Sequence, residues 1–387
     1  MKKAIIITTI ILIVMVESSG QRQAGNIDFI KVDVTKSYSP SKELILQDFM
    51  DVEYIALETN DIFINQGVVQ DVGEKFILVK NHNQDGDIFV YDRTGKAIRK
   101  INRKGQGGEE YIYVSGITLD EENGEMFVND FGKIVVYDLD GKFKRSIKLT
   151  DARGSYFFSD MFSYDKNNLI CYDKTNVNVP FFLVSKQDGS ITQQIKIPFK
   201  EKKVSNVNSK DESGNPIGLF PGTGRSIVPY KDHWLLAELS SDTIYTFLPD
   251  YSLTPFIVRT PSVQSMNPEV FLFLRIINDR YYFMETVKKT FDFKKSEGFP
   301  RTFMMYDTQE KAILGYKVYN GDYSSKKEIY MSVARPVNHK IDSWQPLEAF
   351  QLVEDYKKGI LKGKLKDIAA KLDEDDNPVI MLIKHKK

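Results

Sequence analysis

Asp87-Ile88-Phe89-Val90-Tyr91-Asp92-Arg93-Thr94-Gly95-Lys96 is a β-run that ends on Tyr-Asp, two turn residues and Gly-Lys, with a second β-run over residues 97–101. The arrangement returns as Lys133-Ile134-Val135-Val136-Tyr137-Asp138-Leu139-Asp140-Gly141-Lys142, followed by residues 143–149. Tyr91 to Tyr137 is a step of 46 residues, within the range of one propeller blade. Each unit reads as a hairpin, because Gly takes the positive φ that a tight turn needs and Asp suits the turn entry.

Weaker copies follow. Phe181-Phe182-Leu183-Val184 passes through Gln187-Asp188-Gly189 into residues 191–195. Thr243-Ile244-Tyr245-Thr246-Phe247 turns at Pro249-Asp250, and Phe303-Met304-Met305-Tyr306-Asp307 turns near Thr308-Gln309-Glu310. A further strand pair precedes each hairpin, as in 116–119 with 125–129, 226–230 with 233–238 and 271–277 with 280–285. About four strands per unit is the blade architecture. Five units are visible, and a sixth is expected from the two ends of the chain, residues 52–58 pairing with 379–383. That pairing removes the open edges an unclosed array would leave. The expected fold is therefore all-β, a six-bladed β-propeller forming one domain over residues 21–387. Residues 346–372 break the pattern with apolar side chains at helical spacing and are expected to form a helical segment beside the last blade. Residues 200–218 read as a hydrophilic insertion loop within the ring.

The N-terminus has its own pattern. Lys2 and Lys3 precede an apolar run over residues 4–16, and Glu17-Ser18-Ser19-Gly20 offers small residues for cleavage before Gln21. This is a secretory signal pattern, so residues 1–20 are expected to be removed on export. No later stretch reaches the ~20 apolar residues of a membrane helix, so no transmembrane segment is expected in the mature chain. The absence of a Cys near the cleavage site argues against a bacterial lipid anchor. Export to the periplasm or beyond the cell is the expected location. The 53 basic and 53 acidic residues balance, which gives no bulk attraction to nucleic acid. Cys171 is the single thiol, so no internal disulfide exists; between Ile170 and Tyr172 it reads as a buried small hydrophobe.

At Arg103-Lys104-Gly105-Gln106-Gly107-Gly108-Glu109-Glu110-Tyr111 the chain resembles the six-bladed β-propellers abundant in Bacteroides-type bacteria, relatives of NHL-repeat propellers. Their usual run is Gly-Gln-Gly-Pro-Gly-Glu-Tyr; Gly105, Gln106, Gly107, Glu110 and Tyr111 match, whereas Gly108 and Glu109 depart from it. Val52-Glu53-Tyr54-Ile55-Ala56-Leu57-Glu58-Thr59 and Asp375-Asp376-Asn377-Pro378 are further echoes. The resemblance implies this architecture and export, and no defined chemistry.

Motifs of catalysis are missing from the sequence. His82, His233, His339 and His385 are scattered without metal-ligand spacing, and neither a Gly-x-Ser-x-Gly elbow nor a complete phosphate loop occurs. No catalytic residue, metal or cofactor is assigned. The leading expectation is a binding module that presents loops to a protein, peptide or glycan; the alternative is a propeller-fold hydrolase or lyase acting on carbohydrate or peptide-like substrates. Candidate ligand-binding residues are Arg103, Gln106, Glu110 and Tyr111 of the glycine-rich motif, Asp130 at the end of a strand, and Arg225 ahead of an inner strand. The same motif has a structural reading, in which its glycines let the chain cross between blades, Glu110 accepts loop N–H groups and the Tyr111 hydroxyl finds a partner.

Overall fold

A computed structural model describes residues 29–130, 132–151, 154–210, 213–222 and 224–386. The expected cleavable segment, residues 1–20, lies outside the described residues. The turn that revealed the repeat forms twice in the same way. In the first blade the Gly95 N–H donates to the Asp92 carbonyl at 3.0 Å, and the Asp92 carboxylate accepts the Thr94 N–H at 2.8 Å. In the second, Gly141 donates to Asp138 at 3.0 Å and Asp138 accepts the Asp140 N–H at 3.0 Å. Gly95 and Gly141 sit at φ +90 and +80, a conformation that a side chain would strain.

These hairpins belong to six blades around one axis. The first four are antiparallel sheets over residues 68–102, 116–148, 158–195 and 227–260, each in simple strand order. The fifth runs from 270 to 320, and the sixth joins Ile341–Leu347 to Val379–His385. First strands face the axis, Gly116–Asp120 lying against both Val68–Val72 and Phe158–Ser163. The connections between blades and the loops between second and third strands therefore share one end of the ring, here the upper end. The remaining turns lie at the lower end.

Three short strands at the start of the chain run along the rim of three successive blades. β1 (Ile30–Asp33) adds in parallel to Leu253–Thr260 of blade 4, and β2 (Pro40–Ile45) adds in parallel to Ala312–Asn320 of blade 5. A single helical turn, α1 (Leu46–Phe49), leads into β3 (Met50–Ala56), the outer strand of blade 6. β3 pairs antiparallel with Val379–His385 from Met50↔His385 to Ala56↔Val379, so both ends of the chain close the ring, as the sequence predicts. Asn377 locks that closure: its carboxamide oxygen accepts the Asn65 N–H at 2.8 Å, and its Nδ2 donates to the carbonyls of Phe63 at 2.7 Å and Glu58 at 2.9 Å.

Blade 6 departs from the regular plan. Residues 334–340 take the place of its axis-facing strand without a ladder, turning at the lower end where the N–H groups of Val337 and Asn338 share the Ile341 carbonyl. The helices α2 (Ala349–Lys357) and α3 (Gly363–Ala369) fill the connection between its two paired strands. Their buried Leu352 and Leu365, with Leu361 between them, pack with Met50, Tyr54 and Met381. Blade 5 splits. Arg301–Asp307 is paired along its length with Tyr281–Lys288, but meets Ala312–Asn320 only over Met305–Asp307, after which the long strand turns away to β2 and Lys327–Glu328. The insertion at 200–218 carries part of a small hairpin, Val207–Lys210 with Pro216–Leu219. The basic C-terminal residues take part in closure: His385 ends the closing strand and Lys384 Nζ lies 3.0 Å from the Glu53 carboxylate.

Two substitutions test this closure. Asn377→Ala strands a buried N–H and two carbonyls and should cost about 2–4 kcal/mol in urea unfolding. Val32→Asp puts a charge where β1 packs, fully buried, on Val228, Leu235 and Ile257, and should cost about 3 kcal/mol or more by the same measurement. A loss below about 0.5 kcal/mol in either variant would mean that the rim strands and their lock contribute little.

Candidate functional site: the arginine-lined channel

The glycine-rich motif builds the crossing from blade 1 to blade 2. The buried Tyr111 hydroxyl donates to the Gly86 carbonyl at 2.6 Å and accepts the Arg103 N–H at 3.0 Å; burial pushes its pKa up to about 12. Arg103 Nε donates to the Gly141 carbonyl at 3.2 Å. The Glu110 carboxylate accepts the Gly107 N–H at 2.8 Å, and Gln106 is exposed on the loop. Asp130 accepts the N–H groups of Ile112 and Tyr113, both at 3.0 Å. These five residues thus gather on one crossing, and Tyr111, Glu110 and Asp130 hold its backbone.

Arg225 stands apart, at the upper mouth of the channel. Its Nη1 lies 3.2 Å from Asp160 in the axis-facing strand of blade 3, and its guanidinium carbon is 5.1 Å from the centre of the Phe162 ring. Asp160 also accepts the Ser226 N–H at 2.6 Å, which ties blade 3 to blade 4. Beside it, Arg275 from blade 5 is almost fully buried and pairs with the buried Glu285, which also holds Arg301 at 2.7 Å. Arg275 and Arg301 both donate to the Gly222 carbonyl at 3.4 Å. Gly224 makes that approach possible, since a Cβ there would stand 2.6 Å from Arg275 Nη1.

A fourth guanidinium, Arg335, enters from the irregular segment of blade 6, whose backbone is fixed by an N–H bond to Ser343 Oγ at 3.0 Å. It is open to solvent yet set deep in the mouth, and burial together with the charges of Arg225 and Arg275 lowers its pKa. Four guanidinium groups thus face three carboxylates, Asp160, Glu285 and, through Arg225, Asp71. The buried Nε atoms of Arg225 and Arg275 have no hydrogen-bond partner among the described residues. Excess positive charge with unused donors in a concave, partly dry setting is the chemistry of anion binding.

Lower in the channel lies a pocket of about 130 Å³ lined by Asp71, Leu119, Phe162, Trp234, Asn338 and His339. Burial pushes the Asp71 pKa up to about 6, against the opposing pull of the N–H groups of Leu119 and Val72 at 2.8 Å. His339 packs edge-on against Trp234 with ring centres 4.4 Å apart, and burial lowers its pKa to about 4. Nearby, burial raises the pKa of Asp342, and that carboxylate raises His385 despite the burial of the ring; the two approach within 3.0 Å. No group of three or more His, Cys, Asp or Glu side chains among the described residues is arranged to hold a metal ion.

The sequence points to Arg225 through its position ahead of an axis-facing strand. It does not point to Arg275, Glu285, Arg301 or Arg335. The available signal was a charge interrupting an apolar run, as Arg275 does in Val270–Ile277 and Glu285 does in Tyr281–Lys288.

The Asp71 proton gives a pH test. Its folded-state pKa lies above the unfolded value, so its stabilising contribution is complete below pH ~4 and is lost as pH rises through about 6. Between pH 7.5 and 5 the wild type should gain about 1 kcal/mol of unfolding free energy relative to Asp71→Asn. Equal pH dependence of the two proteins in urea titrations would mean that Asp71 ionises as in water.

Among solved structures, the chain is similar to a Bacteroides fragilis protein described as exported, at 15% identity and a TM-score of 0.57, over 92% of this chain and 99% of that one. A DUF4221 family member from Bacteroides vulgatus follows at 11% identity and a TM-score of 0.48, over 88% and 100% of the two chains. Virginiamycin B lyase from Staphylococcus aureus matches at 13% identity and a TM-score of 0.34, over 69% and 88%. At such identities the likeness to the first concerns the fold alone. No curated protein sequence matches. Residues 29–384 match the family model of DUF4934, a domain of unknown function, and the chain belongs to that family.

Proposed function

We propose that the protein is an exported binding module whose upper channel mouth takes an anionic ligand, a carboxylate-bearing peptide or glycan. The observation that carries the reading is the excess of guanidinium groups at Arg225, Arg275, Arg301 and Arg335 over the carboxylates of Asp160, Glu285 and Asp71. Exposed apolar side chains on connections at the same end, among them Ile62, Ile64, Ile112, Phe157, Val177 and Phe220, support a macromolecular ligand over a free ion. The signal pattern of residues 1–20 and the relative described as exported support export. Arg103, Gln106 and Glu110 border this end on the crossing between blades 1 and 2, within reach of a large ligand, whereas Tyr111 and Asp130 are buried beneath it.

Catalysis has one observation in its favour, the raised Asp71 carboxyl beside His339. Size weighs against it: about 130 Å³ is well below the ~300 Å³ at which ligand pockets begin. The absence of a helix long and apolar enough to cross a membrane among the described residues is compatible with the exported reading and leaves the partner open.

The test is calorimetric titration with hexaglutamate and with an oligogalacturonate, against hexaglutamine and a neutral oligogalactose. Binding should be restricted to the acidic probes, weaken as salt rises, and drop about tenfold in Arg335→Gln, a loss near 1.4 kcal/mol. Equal binding of the neutral probes, or unchanged affinity in the variant, would overturn the reading.

A further inference from the structure

The split in blade 5 opens a pocket of about 340 Å³ beside the channel mouth. Pocket and mouth are joined through shared chain. Arg301 lines the pocket, but its guanidinium serves the mouth, with Nη1 2.7 Å from Glu285 and Nη2 3.4 Å from the Gly222 carbonyl. The segment that gives the pocket Tyr330 and Ser332 runs on to Arg335 in the mouth.

The lining differs in kind from that of the mouth. Tyr38, Phe303 and Tyr330 border the pocket without an aromatic neighbour among the described residues, whereas the buried Tyr316 is already packed edge-on against Phe283 at 4.9 Å. Phe303 and Tyr330 are 37% and 59% exposed. Ser37, Thr302, Lys317, Glu328 and Ser332 supply the polar part, and none of these side chains has a hydrogen-bond or ion-pair partner among the described residues. Lys317 and Glu328 balance in charge, and Arg301 is committed to Glu285, so the pocket favours neither sign. An apolar side chain seated here would strip water from these polar groups and offer them nothing in return. A sugar ring answers both halves of the lining: its C–H faces lie on aromatic rings, and the hydroxyls at its edge exchange hydrogen bonds with polar side chains. The volume falls within the range of ligand pockets, ~300–1,000 Å³.

Given the anionic reading of the mouth, on which this second assignment depends, we propose that its ligand is an acidic glycan and that this pocket is the second subsite. With a uronate carboxylate on the guanidinium groups of the mouth, the neighbouring uncharged ring of the same glycan stacks on Phe303 and Tyr330. Recognition then requires a charged ring next to a neutral one, a pairing that a polypeptide does not offer.

The test is calorimetric titration of the full mature chain with disaccharides in which glucuronate or galacturonate caps a neutral hexose, one for each common linkage, against the methyl uronides alone. At least one disaccharide should bind about tenfold or more tighter than its methyl uronide. Tyr330→Ala should remove that gain while leaving the affinity for the methyl uronide and the urea midpoint unchanged, because Tyr330 is exposed. Tyr330→Phe keeps the ring face and should keep the gain. Arg335→Gln should weaken disaccharide and methyl uronide alike. No gain from the second ring in any disaccharide, or a gain that survives Tyr330→Ala, overturns the proposal. An N-acetylated, C-amidated Glu-Tyr dipeptide bound as tightly as the best disaccharide overturns it too. Methyl uronide binding that Arg335→Gln weakens, without a gain from the second ring, leaves the reading of the mouth standing while the pocket assignment falls.

Discussion

Everything in this molecule hangs on one backbone ladder, the antiparallel pairing of β3 with Val379–His385. A propeller is a stack of sheets bent into a circle, and each sheet buries its faces only against the next. An open circle would expose two sheet faces as well as strand edges. Here the ladder does more than join two ends. It fixes the blade from which the irregular segment 334–340 descends, and with it the height at which Arg335 enters the mouth opposite Arg225 and Arg275. Asn377 holds the same junction from above, joining the start of the closing strand to the first inter-blade connection.

The site follows from the symmetry of the ring and from its breach. Regular blades deliver apolar axis-facing strands, whose side chains pack between sheets. The arginines appear where that regularity fails: Arg335 in a segment without a ladder, Arg225 behind a long insertion, and Arg301 beside a split sheet. Polar groups at such places keep access to solvent or ligand, whereas the same groups in a regular blade would need buried partners. Arg275 is the exception, enclosed with Glu285, its Nη atoms lying against the Gly222 carbonyl and Gly224.

Much of the fold was legible in the chain. Tyr91 and Tyr137 sit at equivalent points of consecutive blades, each just after a bulge, and both hydroxyls reach inter-blade connections, at Asn65 and at Glu109. Local turn chemistry and period-two alternation encode such units directly. β1 and β2 were not legible, because Ile-Lys-Val-Asp and Pro-Ser-Lys-Glu-Leu-Ile are short, half-polar runs whose parallel partners lie more than two hundred residues away. The arginine cluster escaped for a similar reason. Arg225, Arg275 and Arg335 come from three blades, and no spacing in one dimension records a convergence produced by rotation about an axis.

The rim strands have a consequence for how the chain reaches its native state. During synthesis β1, β2 and β3 emerge first, yet their partners at 253–260, 312–320 and 379–385 arrive after nearly everything else. Contacts of such sequence separation form slowly, and the ladder of β3 cannot form at all until the last strand exists. Single blades can assemble as they emerge, but the finished ring waits for residues 379–385. The architecture thereby keeps a nascent chain pliable enough to be threaded, and it denies a prematurely terminated chain its native closure.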